Sequence, residues 1–146
     1  MTRLSITGLI AFIFLMGASS VGAAPRDREG GGDQRTVILF GASWCAPCIA
    51  ELRGIGGLAV AAPADRIVVA WADTGIARFR FEHPANVEVV SPKRAAELTQ
   101  AYAADSAGYP YAVMLDGHGK VCARWRKGLT EEALATLRSQ CKRHLS

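Results

Sequence analysis

The chain alternates short apolar runs with stretches of helical periodicity. Val37-Ile38-Leu39-Phe40 is a continuous apolar run with β-branched and aromatic members, which predicts a buried strand. It ends in Gly41-Ala42-Ser43, after which a helix is predicted from Cys45 to about Arg53. Gly54, Gly56 and Gly57 weaken that helix, and Pro63 closes the connection. Arg66 to Asp73, with Ile67-Val68-Val69-Ala70-Trp71 inside it, predicts a strand buried on both faces, as in a parallel sheet. Thr74 to Phe81 has room for a helical turn or two, and Val87 to Val90 for a short strand. Ser91-Pro92 forms a cap and first-turn proline for a helix to about Ala103, with Ala95, Leu98 and Tyr102 on one face. Tyr111 to Leu115 and Lys120 to Arg126 read as strands joined through Asp116-Gly117-His118-Gly119, a hairpin signal. Thr130 caps a last helix whose stripe is Leu134, Leu137, Cys141 and Leu145, and Glu131 and Glu132 suit its positive end. Strands alternating with helices and closing on a hairpin plus a helix predict an α/β fold with a mixed central sheet flanked by helices.

The N-terminal region breaks this pattern. Arg3 precedes an almost wholly apolar span from Leu4 to Met16, and Gly17 to Ala24 is rich in small residues. Residues 1–24 are therefore expected to be an export signal, cut after Ala23, or else an N-terminal membrane anchor. The short apolar part and its small-residue flank favour cleavage. Either way the body of the protein is expected outside the cytoplasm, in a periplasmic or other extracytoplasmic space where disulfides persist. Residues 25–35 carry charges around Gly30-Gly31-Gly32 and read as a flexible linker, so the domain is expected to span 36–146.

Composition adds limits. With 146 residues, half of them apolar and 21% charged, the chain suits one globular domain with a genuine core. The net charge of +4 is spread over separated small groups of basic residues, which reads as a solvated surface and sets nucleic acid aside. No internal repeat is visible.

The chemistry centres on Cys45-Ala46-Pro47-Cys48. The unpaired N–H groups and dipole of a helix's first turn favour an anion, so a thiolate at Cys45 would be stabilised in the form that attacks disulfides. Pro47 fits because its missing N–H falls where no intrahelical bond is lost. Two other readings of the cysteines are a static disulfide, whose closed loop would be too small to stabilise much, and a zinc site built from Cys45, Cys48, Cys141 and His144. Against zinc, Cys141 lies on an apolar stripe. His83, His118 and His144 have no paired spacing with one another, and no chemistry is assigned to them.

From Thr36 to Leu137 the chain resembles the thioredoxin-fold proteins, specifically the TlpA/ResA-like branch of exported thiol–disulfide oxidoreductases. The resemblance rests on Ala42-Ser43-Trp44-Cys45-Ala46-Pro47-Cys48, Glu51 one turn on, the Val68-Val69-Ala70 strand, Gly108-Tyr109-Pro110 and the Leu115-to-Val121 hairpin. It implies a thioredoxin fold, Cys45 as attacking thiolate and Cys48 as resolving thiol. It makes Pro110 a cis-proline beside the disulfide, with the backbone of Tyr109 a docking edge for a substrate peptide, and Trp44 a shield for one side of the disulfide. Glu51 becomes the candidate for moving the proton of Cys48, a role that needs a partly buried carboxyl; the alternative is a solvated helix glutamate. Thioredoxins proper carry a buried aspartate six residues before the first cysteine, and here that position is Leu39. No cofactor is expected. The implied partners are exported protein disulfides and a membrane electron donor.

Cys122 and Cys141 lie outside the family's minimal motif. An extracytoplasmic setting makes them candidates for a second, structural disulfide. Strict alternation, however, puts Cys122 on the face of Arg124 and Arg126, away from the apolar stripe that holds Cys141, unless the strand twists or bulges. Trp71 and Trp125 read as packing residues. The expected activity is reduction of disulfides in exported proteins, as in apocytochrome or metal-centre assembly. A disulfide-forming oxidant and a copper chaperone using the same thiols stand as alternatives.

Overall fold

The computed structural model describes residues 34–82 and 84–144. The expected signal, most of the linker, His83 and Leu145 lie outside the described residues. A five-stranded sheet runs in the order β3-β2-β1-β4-β5. Its strands are β1 (Thr36–Gly41), β2 (Arg66–Trp71), β3 (Val87–Val89), β4 (Tyr111–Leu115) and β5 (Val121–Trp125). β1, β2 and β3 are parallel, while β4 and β5 join antiparallel, giving the expected mixed sheet. Helices α1 (Ala46–Arg53), α2 (Ile55–Ala61), α3 (Pro92–Tyr102) and α4 (Glu131–His144) flank it. A 3-10 turn, Thr74–Arg78, lies between β2 and β3.

The continuous apolar strands are explained by two cores, one on each face. Val37, Leu39, Ile67, Val69 and Trp71 pack beneath α1, α2 and α4. Ile38, Phe40, Val68 and Ala70 pack on the other face with Ala95 and Leu98 of α3. Burial on both sides is what lets β1 and β2 dispense with polar alternation.

Sequence reading and structure differ in two places. The glycine-rich stretch after α1 is not a weak connection but a second helix, α2. Ile55, Leu58 and Ala59 are buried there, and core burial outweighs the helix-weakening effect of Gly56 and Gly57. The second difference is in β5. Leu115 pairs with Val121 and Met114 with Ala123, so Cys122 is the extra residue of a bulge. The bulge shifts the strand's phase. Cys122 and its neighbour Ala123 both face the α4 side, while the Arg124 guanidinium donates to the Tyr111 hydroxyl of the opposite core. Alternation from Arg124 therefore gives the wrong face for Cys122. Cys122 and Cys141 are joined as a disulfide, with Cα atoms 4.7 Å apart.

A buried Asp65 ties the start of the domain to α4, pairing with Arg35 at 3.0 Å and Arg138 at 3.2 Å. Among the described residues no helix is long and apolar enough to cross a membrane.

Candidate active site

The site forms at the carboxyl ends of the parallel strands β1 and β2. β1 ends at Gly41, a short turn follows, and Cys45 caps α1. The Cys45 Sγ accepts a hydrogen bond from the Cys48 N–H at 3.2 Å, the position a serine or aspartate side chain takes at an ordinary helix start. Cys45 and Cys48 are joined as a disulfide with Cα atoms 5.3 Å apart. Cys45 is 5% exposed and Cys48 fully buried, so a partner can approach only the first sulfur.

The antiparallel pairing of β1 and β4 brings the second part of the site into place. Phe40 pairs with Tyr111, so the residues before β4 stand beside the end of β1. The Tyr109–Pro110 peptide bond there is cis. The Trp44 and Tyr109 rings meet with centroids 5.9 Å apart, joining the turn before Cys45 to the loop before β4. Trp44 is 74% exposed, which makes it a surface residue rather than a core one.

Glu51 lies one turn along α1 from Cys48 and is buried. Its Oε1 accepts the Leu129 N–H at 2.7 Å. Burial pushes the Glu51 carboxyl up to about 7, against the smaller downward pull of the Leu129 hydrogen bond. The solvated alternative for this glutamate is thereby removed. Glu51 also lines a cleft of about 720 Å³ with Pro47, Gly54, Leu129, Glu131 and Glu132.

Two supports were not legible as site residues. The Asp73 Oδ2 accepts both the N–H and the hydroxyl of Ser43 at 3.0 Å each, and its Oδ1 accepts the Gly75 N–H at 2.7 Å. The Arg78 guanidinium donates to the Ser43 hydroxyl at 3.2 Å. The loop after β2 thus holds the turn that carries Trp44 and Cys45. Desolvation pushes the Asp73 carboxyl up, but these hydrogen bonds and the Arg78 charge outweigh it, and the group sits below the usual carboxylate range. The Asp-Thr-Gly sequence at 73–75 signals a turn, but nothing local reveals its partner 30 residues away. The other support is Gly41. A Cβ there would stand 2.6 Å from the Trp71 ring and 3.0 Å from the Cys48 Cβ, so only glycine lets the indole lie this close to the cysteine.

One member of the zinc set considered from the sequence is engaged elsewhere. Cys141 is bonded to Cys122, and among the described residues no cluster of three or more histidine, cysteine or acidic side chains is placed to hold a metal.

No family model matches the sequence, and no curated protein matches it. Solved structures do match. The pneumococcal exposed lipoprotein thioredoxin Etrx1 from Streptococcus pneumoniae is 24% identical, with 74% of this chain and 86% of that one covered and a TM-score of 0.55. StoA from Bacillus subtilis is 20% identical, covering 75% and 85%, with a TM-score of 0.54. A thioredoxin-related protein from Neisseria meningitidis serogroup B is 14% identical, covering 82% and 93%, with a TM-score of 0.58. At these identities the likeness is one of fold. The chain has the thioredoxin fold, with a Cys-x-x-Cys disulfide at the start of its first helix.

Proposed function

We propose that this protein is an extracytoplasmic thiol–disulfide oxidoreductase of the TlpA/ResA-like kind that reduces disulfides of exported proteins. The observation that carries the reading is the Cys45–Cys48 pair at the N-terminus of α1, with Cys45 reaching solvent at 5% exposure and Cys48 fully buried. The exported location follows from the leader-like character of residues 1–24.

In the reduced protein, helix-terminal N–H groups favour the Cys45 thiolate. It attacks one sulfur of a client disulfide, and a Cys45–client bond forms as the client S–S bond breaks. The departing client thiolate takes a proton from solvent. Cys48 then loses its proton to the Glu51 carboxylate and attacks the Cys45 sulfur, releasing the second client thiolate. Two electrons pass to the client, leaving the protein as the disulfide. An exported or membrane-bound dithiol donor must return it to the reduced state. Trp44, Tyr109 and the Pro110 loop form the docking edge for the client peptide. A carboxyl titrating near neutrality suits the proton step, because it can both accept and return a proton at working pH. Cys122–Cys141 takes no part and is structural.

Equilibration with glutathione buffers tests the direction of reaction. A couple well below the glutathione potential supports reduction, whereas an oxidising one overturns it in favour of disulfide formation. A Cys48→Ser variant should accumulate a mixed disulfide through Cys45 and so identify the client. Failure to trap any thiol-linked species would sink the exchange mechanism.

A further inference from the structure

Trp125 ends β5, and its indole Nε1–H donates to the Gly128 carbonyl oxygen at 3.3 Å. That carbonyl belongs to the same peptide unit as the Leu129 N–H, which donates to the Glu51 Oε1 at 2.7 Å. The unit is trans, so its C=O and N–H point in opposite directions. One peptide group thus runs as a bridge from the indole to the carboxyl, held at both ends.

We infer that Trp125 is a positioning residue for Glu51, its indole N–H fixing the Gly128–Leu129 peptide so that the Leu129 N–H is aimed at the carboxyl. The functional weight of this inference rests on the role proposed for Glu51. Two physical effects act together. Gly128 has no Cβ to restrict its backbone angles, so this peptide is free to rotate if the carbonyl is released. A donor on the carbonyl also polarises the peptide and strengthens its N–H as a donor. Both effects favour the ionised carboxylate, against the burial that raises its titration.

The other groups that bear on Glu51 are few. Glu131 and Glu132 of α4 line the same cleft, and the Cys45 and Cys48 thiols stand on its own helix when reduced. Work on the oxidised protein removes the thiols, and changing Trp125 leaves Glu131 and Glu132 in place.

The test is the titration of the Glu51 side-chain carboxyl, followed by carbon NMR in oxidised wild type and in Trp125→Phe. Loss of the indole donor should raise its midpoint by about 0.3 pH unit or more. A chain carrying benzothienylalanine at position 125, which replaces the indole N–H with sulfur, should give the same shift and decides the matter if Trp125→Phe does not fold. An unmoved or lowered midpoint in the folded variant overturns the inference. The pH profile of mixed-disulfide resolution, measured beside it, separates the two ideas. A shifted titration with an unshifted profile upholds the positioning by Trp125 but sinks the proton role of Glu51. Shifts in both uphold the two together.

Discussion

Glu51 and Leu129 lie 78 residues apart in the chain, and the Leu129 N–H donates to the Glu51 Oε1 at 2.7 Å inside the core. A buried carboxyl held by one backbone donor couples folding to pH. Unfolded, the glutamate titrates near its ordinary 4.5; folded, it titrates at about 7. Between those values the folded chain keeps a proton that the unfolded chain releases, so stability falls as pH rises. The contribution is fully present below about 4.5 and lost as pH rises through about 7; it amounts to roughly 3 kcal/mol. Glu51→Gln should flatten this dependence, as read by urea unfolding between pH 5 and 8. The same variant should resolve mixed disulfides slowly across neutral pH, and its rate should lose the inflection near 7 and follow the ionisation of the Cys48 thiol instead.

Gly41→Ala should be costly for a single methyl group. The new Cβ would meet the Trp71 ring at 2.6 Å and the Cys48 Cβ at 3.0 Å, with both neighbours buried. Overpacking of this kind costs about 1–3 kcal/mol. Because the methyl group presses on Cys48, the Cys45–Cys48 potential should shift as well. Unchanged stability and potential would show that the Trp71 ring can move aside.

Asp73→Ala should loosen the turn before Cys45. It removes the acceptor of the Ser43 and Gly75 N–H groups and the cap of the 3-10 turn. Loss of such a cap costs about 1 kcal/mol. Amide exchange at Ser43 and Gly75 should accelerate while that of β1 does not. Equal protection in variant and wild type would remove Asp73 as the clamp.

The central strands were legible because β1, β2 and β4 are buried on both faces, which leaves continuous apolar runs such as Ile67 to Trp71. The helix from Cys45 was legible through Pro47 in its first turn and the glycines after Arg53. What was hidden depends on contacts made at a distance. α2 forms because Ile55, Leu58 and Ala59 find a core, something the glycines around them do not signal. The side of β5 that Cys122 faces turns on one bulged residue, and strict alternation cannot reveal a bulge. Burial of Glu51 depends on a loop 78 residues away, so helix position alone left open whether it is solvated. The Asp73–Ser43 clamp is tertiary in the same way.

Removal of the second bridge should separate stability from chemistry. Cys122 and Cys141 are 19 residues apart in sequence, and a loop of that size restricts the unfolded chain by about 3 kcal/mol. The double variant Cys122→Ala, Cys141→Ala should lose about that much in urea unfolding, while Cys45 and Cys48 still exchange with a small disulfide. Thiol counting on oxidised, denatured wild type should find no free thiol. Two free thiols would show that the bridge does not form.

Trp44→Ala should affect the client rather than the fold. The ring is 74% exposed, so its loss should change stability by no more than about 0.5 kcal/mol. It meets the Tyr109 ring across the gap between the Cys45 turn and the loop before β4. A peptide lying along that loop would rest on both rings, and aromatic contacts of this kind are worth about 0.5–1.5 kcal/mol beyond the area they bury. KM for a peptide disulfide should therefore rise about tenfold, since 1.4 kcal/mol is a factor of ten. A small disulfide cannot span both rings and should lose far less. If the two substrates suffer equally, Trp44 acts on the disulfide itself, and the docking edge must be sought elsewhere on the Tyr109–Pro110 loop.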